Sequence, residues 1–280
     1  MMLQSLSQLG VCSWSMRAKN ASELADVCAK IGVKKVQLAL VPHREDPGAL
    51  DGVPEALAAK GIAITSGMFG TVGEDYTSPQ TIAATGGVII DKHWAENLNI
   101  AKNTAKYARK FGLKLVSMHA GFLPHDVSDP LYQKLLDRIV TIAKIFADQS
   151  QILLFETGQE SAKDLWTFLK ELDAKGATNT AVNFDPANMI LYDMGDPIEA
   201  LKSLLPRVQQ LHIKDAIKTT VPGTWGAEVP VGQGQVNWEA FIKALEEGNF
   251  KGDMMIEREA GDDRVKDAKI AVEYLKKWLK

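Results

Sequence analysis

The chain is poor in cysteine, with two, Cys12 and Cys28, in 280 residues. That is too few for a disulfide framework, so a stapled secreted scaffold is excluded and a reducing, cytoplasmic setting is expected. No apolar run reaches the roughly 18 residues that a membrane-spanning helix needs. Met1–Gly10 shows no basic stretch followed by an apolar one, so no export signal is read there. Charge of one sign is missing too: 32 Lys+Arg against 35 Asp+Glu leave a net −3. That balance excludes a basic nucleic-acid footprint and an acidic solvating tail. Low-complexity segments are absent, and so is a composition shift that would mark a second domain.

What is present is a rhythm. Short apolar runs alternate with amphipathic stretches at Gly10–Ser15, Lys35–Leu40, Ile62–Phe69, Lys114–Ala120, Gln151–Thr157, Ala181–Asp185, Gln209–Lys214 and Met254–Glu259. Several are apolar nearly throughout, as strands covered on both faces should be. Between them, Leu24, Val27, Cys28 and Ile31 fall on one helical stripe, with Asn20 and Glu23 as a capping-box variant. Leu135 to Phe146, Leu165 to Leu172 and Val265 to Leu279 repeat the stripe. Asp196-Pro197 reads as an N-cap followed by Pro in the first turn. Gly32, Gly61, Gly112 and Gly176 stand where helices should end.

Repeated strand–helix units predict a parallel sheet, and eight of them close a single (β/α)8 barrel over residues 1–280. The competitor is a doubly wound open sheet with a Gly-rich first turn. Here the first strand runs into Cys12-Ser13-Trp14-Ser15-Met16, and the late Gly232-Gln233-Gly234 lacks the third glycine of a dinucleotide fingerprint. Two long connections, Gly70–His93 and Ala216–Asn237, follow strand C-termini and are expected on the active face.

A barrel does its chemistry at those strand ends. Glu156, Asp185, His212 and Glu257 end the fifth to eighth candidate strands, one each. In a closed barrel they form one arc of the mouth, where three carboxylates would repel each other. A single divalent cation (Mn, Co, Mg or Zn) with mixed oxygen and nitrogen ligands resolves the repulsion. No thiolate belongs to the set, which argues against a structural zinc. The bland alternative for each residue alone is a helix cap, a solvated loop charge or a satisfied core histidine.

These residues resemble the xylose isomerase-like TIM barrels, the sugar phosphate isomerases and epimerases. FETGQE, NFDPAN, LHIKD and MIEREAG look like that family's Glu-Asp-His-Glu metal set, and Val231–Trp238 (VGQGQVNW) looks like its Gly-rich stretch. The resemblance implies a divalent-metal-dependent isomerase or epimerase acting by proton transfer α to a carbonyl through an enediolate, with Glu156 and Glu257 as acid and base. Its partner would be a small carbohydrate or keto-polyol, and barrels of this kind often form homo-oligomers. The runner-up is a lyase or dehydratase on a keto-sugar or inosose; a non-catalytic carbohydrate-binding barrel is third. A trinuclear nuclease pattern fits poorly: the third strand ends in Gly67-Met68-Phe69, Asn188 replaces a histidine of that pattern, and the chain has five histidines in all.

Around this set, His119, Asn188, Lys214, Trp14 and Trp225 are candidate substrate contacts, and Asp215 is a candidate for hydrogen bonding behind the metal ligands. Each has an ordinary alternative: a core histidine, a turn asparagine, a surface lysine, core tryptophans.

Overall fold

The computed structural model describes residues 5–41, 46 and 48–280. Its strands are β1 (Leu9–Cys12), β2 (Lys35–Ala39), β3 (Ala63–Met68), β4 (Leu115–Met118), β5 (Ile152–Glu156), β6 (Thr180–Phe184), β7 (Val208–Ile213), β8 (Asp215–Ile217), β9 (Ala227–Val229) and β10 (Asp253–Ile256). Helices α1 (Ala21–Ile31), α2 (Val53–Ala59), α3 (Pro79–Thr85), α4 (Asp91–Lys110), α5 (Pro130–Ala147), α6 (Ala162–Ala174), α7 (Pro186–Leu191), α8 (Pro197–Leu204), α9 (Trp238–Glu247) and α10 (Arg264–Leu275) lie between and after them. Eight strands close a parallel barrel in the order β1-β10-β7-β6-β5-β4-β3-β2, and β8 and β9 form a separate antiparallel hairpin. This is the expected TIM barrel.

The apolar runs are buried because both strand faces are used. Outward residues such as Leu211 and Ile213 meet helices, while inward ones of opposite parity fill the barrel. That inner set is partly polar. Gln37, Ser117, Asn183 and Gln210 are fully buried, and two residues further along the last three of their strands stand His119, Asp185 and His212. The pleat thus carries a polar interior upward into the mouth. A register shift between Val182 and Asn183, where β6 meets β7, falls beside that transition.

Local signals held with small differences. Asn20 Oδ1 accepts from the Glu23 amide at 2.9 Å, but the Glu23 carboxylate accepts from Lys19 N rather than closing a box on Asn20. Asp196 caps α8 through the amides of Ile198 and Glu199. Gly32, Gly61, Gly112 and Gly176 all have left-handed φ values, 91, 66, 70 and 84°. Ser13–Met16, expected partly as strand, winds into a 3-10 turn, and α10 stops at Leu275, before Leu279.

The two long connections are not structureless. The first contains α3 and the second contains the β8–β9 hairpin. They meet: Trp225 Nε1 donates to Tyr76 O at 3.1 Å, and Gln80 Nε2 to Gly223 O at 3.0 Å. Among the described residues no helix is long and apolar enough to cross a membrane.

Candidate active site

Four contiguous barrel strands, β5, β6, β7 and β10, deliver Glu156, Asp185, His212 and Glu257 to one point. One ligand atom of each lies within 4.8 Å of the others, and all four side chains are buried. His212 Nδ1 is 3.3 Å from Glu156 Oε1, 3.4 Å from Glu257 Oε2 and 3.7 Å from Asp185 Oδ2.

Each ligand is aimed by a specific partner. Asp185 is the N-cap of α7, and its Oδ1 accepts from the amides of Ala187 (2.8 Å) and Asn188 (3.0 Å). Pro186 in the first turn favours that start. The cap occupies Oδ1 and leaves Oδ2 pointing into the centre. The same short helix sets Asn188, whose Nδ2 donates to Glu156 Oε1 at 2.9 Å. Close packing here needs a glycine: at Gly158 (φ 139°) a Cβ would lie 2.5 Å from Asn188 Cβ. His212 presents Nε2 to Gln37 Oε1 at 2.7 Å, and Gln37 Nε2 in turn donates to Ser117 Oγ at 2.7 Å. A bound cation would need the proton on Nε2, toward Gln37, with the Nδ1 lone pair left for the centre. Without one, burial opposes the charge on His212, but Glu156 and Glu257 outweigh burial and push its pKa well above the ordinary value. Asn183 Nδ2 lies 3.0 Å from the same Nε2, and Cys12 Sγ 3.7 Å from it.

Three buried atoms of this centre, Glu156 Oε2, Asp185 Oδ2 and His212 Nδ1, have no hydrogen-bond partner. Buried carboxylate oxygens without donors are costly. Their convergence, oxygen with imidazole nitrogen and no thiolate in the four-residue set, fits a divalent cation. The charge agrees: three carboxylates face one buried ammonium, Lys214, leaving an excess that a divalent ion offsets.

Lys214 was expected near substrate, and the structure puts its Nζ 2.8 Å from Glu257 Oε2, 3.1 Å from Glu259 Oε2 and 3.3 Å from Asn188 Oδ1. Burial opposes its charge, but Glu257, Glu259 and Asp185 outweigh burial and push its pKa well above the ordinary lysine value. Burial likewise opposes the charge on Glu257, yet Lys214 and His212 hold that carboxyl well below the usual range. For Glu156, His212 and His119 overcome burial in the same direction.

Trp14 and Trp225 both line the cavity above the centre, as do His119, Asn188 and Lys214. Trp14 Nε1 donates to Glu257 Oε1 at 2.8 Å, and His119 Nε2 lies 3.7 Å from Glu156 Oε2. Asp215 does not join them. Its carboxylate accepts from the amides of Ala216, Gly232, Gly234 and Val236 and from Trp238 Nε1, at 2.9 to 3.1 Å. None of these donors is a metal ligand or touches one. The expected place behind the ligands is therefore corrected: Asp215 is the acceptor around which Val231–Trp238 folds. Gly234 permits the approach, since a Cβ there would lie 2.1 Å from Asp215 Oδ1.

Sequence reasoning missed Tyr76 and Tyr192 in the cavity wall and the Gln37 and Asn183 contacts to His212. It also missed Glu160. Burial, then Asp164 and Glu156, push that carboxyl up to about 8, and its Oε1 has no partner.

Comparison with known proteins agrees with the fold. A solved xylose isomerase domain protein from Planctomyces limnophilus is 33% identical, with 90% of this chain and 89% of that one covered at a TM-score of 0.82. An L-ribulose 3-epimerase structure is 15% identical, with 97% and 94% covered at 0.74, a likeness of fold. The uncharacterized protein YihM of Escherichia coli (strain K12) is 29% identical over 109 residues, 38% of this chain and 32% of that protein, so the match spans about a third of its length. Residues 25–278 match the family described as "Xylose isomerase-like TIM barrel", and the chain belongs to that family.

Proposed function

We propose that the protein is a metal-dependent sugar or keto-polyol isomerase or epimerase that moves a proton α to a carbonyl. The observation that carries this reading is the set of unpartnered atoms Glu156 Oε2, Asp185 Oδ2 and His212 Nδ1 converging beneath a cavity that Glu156 and Glu257 also line. Glu156, Asp185, His212 and Glu257 would hold the cation, which when bound supplies a Lewis acid for negative charge developing on a substrate oxygen.

The protein's own groups do the rest. Glu257 is kept ionised by Lys214 and His212 and is fixed from one side by Trp14, so it can accept a proton from carbon. Glu156 is oriented by Asn188 and faces the same cavity from β5, placed to return a proton to the other face of an enediolate. His119 offers a donor to a substrate hydroxyl, and Lys214 keeps Glu257 from protonating too readily. Proton transfer by such positioned carboxylates contributes about 10²–10⁴-fold, and holding the substrate in place adds to it.

The test is incubation of the Mn²⁺-loaded protein with a panel of ketoses and keto-polyols in deuterated water, read by NMR and mass spectrometry. An isomer carrying carbon-bound deuterium is expected, and Glu257→Gln should abolish it. A product lighter by water or another leaving group would move the assignment to a lyase. Absence of any exchange in wild type would defeat both and favour a binding protein.

A further inference from the structure

The cavity over the four ligands is larger than a monosaccharide requires. It encloses about 900 Å³, near the top of the roughly 300–1,000 Å³ spanned by pockets for drug-sized ligands.

Much of the wall is hydrocarbon. Trp225 stands edge-on to Tyr192, centroids 4.9 Å apart at 87°. Its single polar atom, Nε1, donates to Tyr76 O, so toward a ligand the indole offers only its carbon surface. The neighbouring Leu191 adds a side chain with no polar atom. Tyr76 packs edge-on against His119 with centroids 6.4 Å apart, which joins this wall directly to the polar floor. Aromatic walls of this kind take flat or apolar groups in offset or edge-on contact.

The charge pattern points away from a phosphorylated ligand. Among the described lining residues Lys214 is the only lysine or arginine, and its Nζ is already engaged by Glu257, Glu259 and Asn188. Glu74, Glu228 and Glu259 line the same cavity. Among the described residues a phosphate there would meet carboxylates without an uncommitted cation to answer it.

Resting on the sugar reading of the floor given above, we propose that the substrate is an uncharged keto-sugar bearing a flat apolar substituent, an aryl glycoside in chemical class. The Trp225–Tyr192–Tyr76 wall and Leu191 hold that substituent.

Titration calorimetry on the Mn²⁺-loaded protein tests this with phenyl β-D-glucoside, methyl β-D-glucoside and glucose 6-phosphate as probes. The phenyl glycoside is expected to bind at least about tenfold more tightly than the methyl glycoside, as burial of an added ring predicts, with glucose 6-phosphate weakest. Trp225→Ala should bring the phenyl preference below about threefold while manganese content and the thermal melt stay at wild-type values. Leu191→Ala should reduce it in the same direction and does not touch the Trp225–Tyr76 hydrogen bond. Equal affinity for the two glycosides, tighter binding of glucose 6-phosphate, or no binding of any probe at millimolar concentration would overturn the proposal and leave the metal reading standing. Failure to take up manganese would overturn the metal reading instead, and the phenyl preference can still be measured on that protein.

Discussion

Trp14 Nε1 donates to Glu257 Oε1 at 2.8 Å, so the segment after the first strand and the end of the last barrel strand share one carboxylate across the seam where β1 pairs with β10. The other oxygen of Glu257 accepts from Lys214. Both hydrogen bonds favour the ionised carboxylate, one as a neutral donor and one as a charge.

Trp14→Phe keeps the ring beside His212, now 6.0 Å between centroids, and removes only the donor. A hydrogen bond to a charged group is worth about 1.5–3 kcal/mol, so kcat/KM on the proposed activity should fall about tenfold or more with metal content unchanged. Loss of the metal together with activity would show that Trp14 acts by holding the ligand set together.

Asp185 does two jobs with two oxygens, and two substitutions separate them. Asp185→Asn retains an acceptor for the α7 amides but not the anionic ligand; Asp185→Ala loses both. Elemental mass spectrometry should find about one divalent ion per wild-type chain and none in either variant. Denaturant melts of metal-free protein should show Asp185→Ala about 1 kcal/mol less stable than Asp185→Asn, the worth of an N-cap. Equal stability of the two would mean that the cap contributes nothing.

Gln37 fixes which nitrogen of His212 faces the centre. Gln37→Leu removes the acceptor for Nε2–H and lets the other tautomer compete. Metal affinity, measured by competition with a chelator, is expected to drop about 10–100-fold. An unchanged affinity would show that Gln37 does not set the tautomer.

Glu160 makes stability depend on pH. Its folded carboxyl is pushed up to about 8 by burial and by Asp164 and Glu156, while in the unfolded chain it ionises at the ordinary carboxylate value. The folded protein therefore holds the extra proton between those two values. The contribution is full below the ordinary value and is lost as pH rises through about 8. Glu160→Gln should gain on wild type in urea melts from pH 5 to pH 9, both run in chelator. Parallel curves across that range would refute the assignment.

Asp215 collects five donors from its loop. Asp215→Ala should leave the barrel folded but free residues 216–237 for limited proteolysis, with cleavage mapped by mass spectrometry. A protection pattern identical to wild type would show the loop to be held by its other contacts.

The barrel was legible because inward and outward residues alternate on strands buried on both faces, and because helix ends carry Asp196-Pro197 and glycines such as Gly176. The ligand set was legible for a related reason: each member terminates its own strand, so parity and order place it in the mouth without knowledge of any distance. What escaped depends on contacts far apart in sequence. Nothing local to Gln37 marks it as the partner of His212, 175 residues away. Asp185-Pro186 does carry a cap-plus-proline signal, the same one read at Asp196-Pro197, but the strand end drew the interpretation first. Asp215 sits beside His212 and Lys214 in sequence, and proximity suggested a shared role; the side chain instead turns to the loop that returns at Gly232. Tyr76 and Tyr192 become cavity residues only once the two long connections are seen to meet.

The polar layer below the ligands has a consequence for where charge sits. Gln37, Ser117, Asn183 and Gln210 are amides and a hydroxyl, and Cys12, pushed up to about 12 chiefly by burial, stays a thiol. None of them takes up or releases a proton near neutrality. These side chains therefore orient His212 through dipoles rather than by exchanging protons with it. The ionisable neighbours of Glu257, Lys214 and Glu259, line the cavity instead, so the charged side of the centre is the side that faces the cavity.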